Sequence, residues 1–122
     1  MSSIRGLVRD EASNTFITVY LHRIRKKDQP DVSGFFYSTS SDLKNWSAPK
    51  LLYAQPLRRD ADKGEPFVAY PSIIDDDSMD RLYGTVDDQA SLVFVRLMPK
   101  PYKDRWRVSR QLVRVPITIK ED

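Results

Sequence analysis

Apolar residues recur along this chain with a period of two, and nowhere with the three-and-four spacing that sustains a helix. Residues 14–22 (NTFITVYLH) set Phe16, Thr18 and Tyr20 on one side and Ile17, Val19 and Leu21 on the other. A strand apolar on both sides is expected to be covered on both. Residues 34–54 (GFFYSTSSDLKNWSAPKLLYA) read as a long hairpin: an aromatic strand over 34–40, a polar turn holding Asp42, Lys44 and Asn45, Trp46, and a second strand over 50–53. Ser, Asp and Asn favour such turns because their side chains bond the local backbone. Pro49 cannot donate to a ladder, which places it at the start of the second strand or on an edge.

The rest of the chain follows the same grammar. Residues 1–13 carry a weak apolar pattern at Ile4, Leu7 and Val8 and fit either a short strand or a loose terminal arm. Residues 22–33 form a basic loop. Residues 67–74 are apolar around Pro71, which predicts a strand from Ser72, and 75–80 (DDDSMD) is a tight acidic turn. Strands are expected over 81–86 and 91–98, a loop over 99–104, a short strand at 106–108 and a last one over 111–120. The fold class is all-β, with about eight short strands. Two units resemble each other loosely, 14–54 and 67–119, with 55–66 as linker and a late tryptophan, Trp46 or Trp106, in each. Antiparallel four-stranded units of about 40–50 residues are the size of propeller blades.

Composition narrows the functional classes. The 122 residues allow a single domain, and 40% hydrophobic content suffices for a core. The net charge of +3 is too slight to argue for nucleic acid by itself. Glutamate occurs only at Glu11, Glu65 and Glu121, so the acids are mostly Asp, as suits turns. The chain has no cysteine, which excludes disulfides, thiolate zinc sites and a thiol nucleophile. No apolar run approaches the roughly 18 residues of a membrane span, and 1–10 lacks the apolar core of a signal peptide. The chain reads as soluble.

The wording of Phe36-Tyr37-Ser38-Thr39-Ser40-Ser41-Asp42-Leu43, then Trp46-Ser47 and Pro49, resembles the glycoside hydrolases of family 43 and their sucrose- and fructan-cleaving relatives, which are five-bladed β-propellers. The segment 70–75 resembles an inner-strand entry of such a blade, 92–96 its continuation, and 110–116 the closing strand. The resemblance implies about two blades of an unfinished propeller, a carbohydrate-related lineage, and open sheet edges that invite pairing with further copies. It also implies an aspartate base, a glutamate acid and a tuning aspartate around the scissile bond. At the position implied for the acid stands Ala69, which cannot protonate a leaving group. Glu65 is the substitute acid within reach, at the wrong offset, and no Asp matches the base. The expectation is therefore a non-catalytic or incomplete propeller piece.

Other chemistry has thinner support. Tyr70, Tyr83 and Trp106, with Tyr37, are candidates for stacking on sugar rings, whereas Trp46 reads as core, wedged between the hairpin and the neighbouring blade. Asp75, Asp77 and Asp80 are the candidate ligands for a calcium ion, although their spacing departs from the twelve-residue calcium loop and a solvated turn is the commoner explanation. No other cofactor is expected. His22, the sole histidine, has no nucleophile elbow to serve. The basic residues from Arg23 to Lys27 and along 105–114, with Tyr102 and Trp106, sketch a nucleic-acid face that interleaved acids argue against. A free-standing β-rich binding or assembly module is the alternative to the carbohydrate reading.

Overall fold

A computed structural model describes residues 6–58, 64–80, 84–86, 89–102 and 105–118, apart from the side chains at 102, 105 and 106. The described chain is all-β, without a helix, and curls into an open half-barrel. Its strands are β1 (Gly6–Asp10), β2 (Thr15–Ile24), β3 (Val32–Ser40), β4 (Lys50–Ala54), β5 (Phe67–Ile74), β6 (Thr85–Val86), β7 (Gln89–Tyr102) and β8 (Arg105–Thr118).

Two sheets result. The first has the order β4-β3-β2-β1-β6, and the second β5-β7-β8. Strands β1 to β4 form a consecutive antiparallel meander, in which Val8 faces Ile17 and Val19 faces Tyr37. Residues 6–10 are thus a paired strand and not a loose arm. Strand β6 adds to β1 in parallel through Arg9–Thr85 and Asp10–Val86, and the chain then enters β7 at Gln89. One short segment therefore links the edge of the first sheet to the middle strand of the second.

The core lies between the sheets. Val8, Ile17, Val19 and Phe35 meet Val68, Ile73, Ala90, Leu92 and Phe94, with Val86 joining them from β6. The rings of Phe35 and Phe94 sit 4.9 Å apart, and Tyr53, the cross-strand partner of Phe35, lies 5.7 Å from Phe94. Trp46, expected here, is only half-buried and lies outside the core cluster. It falls in the irregular segment between β3 and β4, where strand alternation no longer aims side chains at the opposite sheet.

The double-sided apolar pattern of β2 has its cause in the other face of the first sheet. Tyr20 and Phe36 are fully buried there, the Tyr20 hydroxyl bonds Ser38 Oγ at 2.6 Å, and His22 edges onto both rings. Thr18 Oγ1 donates to the Gly6 carbonyl at 3.0 Å, so the buried polar groups are paired.

A loop was expected over 99–104 and two separate strands after it, yet β7 and β8 form one long hairpin paired from Gln89–Thr118 to Tyr102–Arg105. Pro99 and Pro101 lie beyond Leu97, the last β7 residue paired to β5. Their missing N–H groups point to the side where β5 has ended, and no ladder bond is lost. Pro71 is absorbed by a bulge between Ala69 and Ser72, so β5 begins at Phe67 and not at Ser72.

Gly34 is required where β3 meets the end of β4. Its φ is +150°, and a Cβ there would lie 2.3 Å from the Tyr53 carbonyl oxygen. Gly34→Ala is expected to lower unfolding free energy by about 2–3 kcal/mol, read as a lower urea midpoint with an unchanged slope.

Candidate functional site

The motif that carries the family resemblance is built from side chains that bond their own backbone. Ser40 closes β3, and its Oγ accepts the N–H groups of Asp42 and Leu43 at 3.2 and 2.9 Å while donating to Asp42 Oδ1 at 3.0 Å. Asp42 Oδ1 accepts the N–H groups of Lys44 and Asn45, both at 2.8 Å, and Oδ2 takes the Asn45 amide at 2.8 Å. The Asn45 N–H, then the Lys44 N–H and the side chains of Asn45 and Ser40, hold the Asp42 carboxyl well below the ordinary carboxylate range. Downstream, Ser47 N–H donates to the Thr39 carbonyl and Ser47 Oγ accepts the Thr39 N–H, each at 2.9 Å. The chemistry of this motif is consumed in shaping the β3–β4 connection.

A cleft of about 550 Å³ opens between β1 and β5, lined by Gly6, Leu7, Val8, Ser72, Ile73 and Asp76 among others. At its β1 end, a Cβ on Gly6 would meet the Pro71 carbonyl at an ordinary 3.5 Å and crowd Val19 Cγ1 of the neighbouring β2 at 3.0 Å. Just beyond β5 is the acidic turn. Asp75 is buried and its Oδ1 accepts the Asp77 N–H at 2.9 Å. Asp80 Oδ2 accepts the Gly84 N–H at 2.6 Å, and Asp76 is ion-paired with Arg114. Asp77 is exposed. Each of Asp75, Asp76 and Asp80 has a local task, and among the described residues no three His, Asp or Glu side chains converge as a metal site.

The other carboxylate drawn inside was missed in the sequence. Asp10, 4% exposed at the end of β1, accepts the Ala12 N–H at 3.3 Å and the Ser13 hydroxyl at 2.8 Å. The signal was present: an Asp followed three residues later by Ser is a turn former. Asp10 and Asp75 close the C-terminal ends of the two strands that flank the cleft.

Of the proposed sugar platforms, Tyr70 has the most distinctive geometry. It is 62% exposed and sits in the β5 bulge with φ +58°, a left-handed conformation costly for a bulky residue. Its neighbour Pro71 is fully buried and anchors the bulge. Tyr37 lines a second cleft, of about 330 Å³, with Ile17, Leu51, Leu52, Ile73 and Ile117. Glu65 is exposed in the connection before β5. Tyr83 lies outside the described residues, and Trp106 is placed by its backbone on β8. The basic run at the end of β2 is partly offset, since Arg23 and Arg25 share Asp31 at 4.0 and 3.7 Å.

Two outcomes are expected. Tyr70→Gly relieves the left-handed strain and should raise unfolding free energy by about 1 kcal/mol, seen as a higher urea midpoint. Asp42, with its folded-state pKa depressed, stabilises the chain fully above the unfolded carboxylate value of about 3.9, and this is lost as pH falls towards the folded-state value. The gap in urea midpoint between the native chain and Asp42→Asn should accordingly narrow between neutral pH and strongly acid solution. Comparison with protein-family models, with curated proteins and with solved structures found no match to this chain.

Proposed function

We propose that this chain is a blade-forming, non-catalytic piece of a glycoside-hydrolase-like β-propeller, in which Tyr70 presents a surface to carbohydrate. The observation that carries this reading is the antiparallel meander β1–β4 packed face-on against a second antiparallel sheet, with the first strand of each, β1 and β5, side by side across a cleft. Stacked meanders whose leading strands adjoin are how blades meet around a propeller axis. On this reading the strained, exposed Tyr70 ring covers the apolar face of a sugar. The ring would be completed by further blades stacked on the sheet faces, supplied by other copies or by further chain.

The resemblance implied cleavage machinery that these residues do not supply in its usual form. Ala69 stands at the implied acid position, and Glu65 is an exposed residue of a connection. Bond breaking at a glycoside requires two carboxyls about 5–9.5 Å apart across the substrate. Carbohydrate contact without cleavage is the activity proposed.

Titration of a panel of neutral oligosaccharides, fructans and sucrose included, followed by tyrosine fluorescence or NMR shifts, tests this. Binding in the roughly millimolar range, weakened at least about fivefold by Tyr70→Ala, together with no release of aryl leaving groups, is expected. Binding untouched by Tyr70→Ala, or aryl-glycoside turnover abolished by Glu65→Gln, would overturn it.

A further inference from the structure

Strand β8 is the outer strand of its sheet, and among the described residues nothing pairs with its far side. Residues 107–112 are all exposed, on both faces of the strand, so that half of β8 is supported by β7 alone. Two of its outward side chains are apolar: Leu112 is 73% exposed and Val108 47%. A long, unpaired edge with exposed apolar side chains is a template for another strand.

The prolines locate the hydrogen-bonding groups of this edge. Pro99, Pro101 and Pro116 face Val108, Trp106 and Ser91 across the ladder, which puts all three in the same alternate set of pairs. Pairs of that set direct their N–H and C=O groups away from each other, and only there is a proline harmless. The open side of β8 therefore offers the backbone groups of Val108, Arg110, Leu112 and Arg114. Pro116, with no N–H, ends the run.

Charge identifies what would fit. Between Gln89 and Thr118 lie seven Lys and Arg residues against one acid, Asp104, while the whole chain carries only +3. Lys100 and Arg107 stand directly opposite each other in the ladder, a like-charge pairing that isolated strands avoid. Arg114 is already paired with Asp76, whereas Arg110, exposed between Val108 and Leu112, has no ion partner among the described residues. Edge-to-edge pairing of two copies would bring two such cationic hairpins into contact. A nucleic-acid backbone would leave the apolar side chains and the open amides unused.

We propose that the edge of β8 from Val108 to Arg114 docks an extended acidic peptide segment as an added strand. Its backbone bonds the open amides, its acid pairs with Arg110, and apolar residues two positions away on either side cover Val108 and Leu112. This site does not depend on the propeller reading.

Fluorescence polarisation with labelled eight-residue peptides tests it. The probe alternates leucine and glutamate along one face and carries threonine on the other. One control replaces glutamate with lysine, and another keeps the sequence but N-methylates alternate amides. The expected result is saturable binding of the acidic peptide, weaker at high salt, with both controls and the Arg110→Glu and Leu112→Asp variants at least about tenfold weaker. Both substituted positions are exposed, and circular dichroism verifies that the variants fold. Equal binding of the lysine or N-methylated peptide would overturn the proposal. So would absence of binding up to about 1 mM, a dimer joined through β8 in sedimentation equilibrium, or duplex DNA competing where the peptide does not.

Discussion

The contact between Phe35 and Phe94 is what makes two small sheets into one structure. Neither sheet could stand alone, since a sheet exposes one face unless something is laid on it. Phe35 comes from the third strand of the first meander and Phe94 from the middle strand of the second sheet, and both are essentially without solvent contact. Burying each ring contributes about 1.5–3 kcal/mol, whereas their mutual orientation adds only about 0.5–1.5 kcal/mol. Burial dominates. The cleft between β1 and β5 and the inward stripe Val113, Val115 and Ile117 accompany that stacking.

Away from this contact, polar residues shape connections. Ser40, Asp42, Asn45 and Ser47 spend their hydrogen bonds on the β3–β4 connection, Asp10 and Ser13 on the β1–β2 turn, and Asp75 and Asp80 on the segment after β5. Of the acids weighed as ion ligands, Asp75 and Asp80 each accept a nearby backbone N–H. The places where local rules are broken stand apart from this background: Tyr70 in its left-handed bulge, and the exposed cationic edge of β8. Departures of this kind are where binding is to be sought.

Much of the architecture was legible because strand periodicity is local. The hairpin over 34–54, the double-sided β2 and the position of Pro49 before an edge strand all follow from residue type and alternation. What escaped notice depended on neighbours distant in sequence. Strand β1 is recognisable only once β2 and β6 supply its partners, because Leu7 and Val8 alone are a weak signal. Pro99 and Pro101 read as breakers until β5 is seen to stop at Leu97. Trp46 looked like the wedge because tryptophan is large, yet alternation gave that place to Phe35. At the candidate site, Tyr70 was visible as an aromatic beside a proline, but its bulge and strain depend on the pairing with β7.

A double-mutant cycle on Phe35 and Phe94, each changed to Leu singly and together and followed by urea denaturation, addresses the central contact directly. If the two rings hold the sheets as one cooperative core, the two losses will fall short of additivity by about 1 kcal/mol, with a single transition in every variant. Strict additivity, or two separate transitions in the native chain, would contradict a shared core and leave two sheets that merely adjoin.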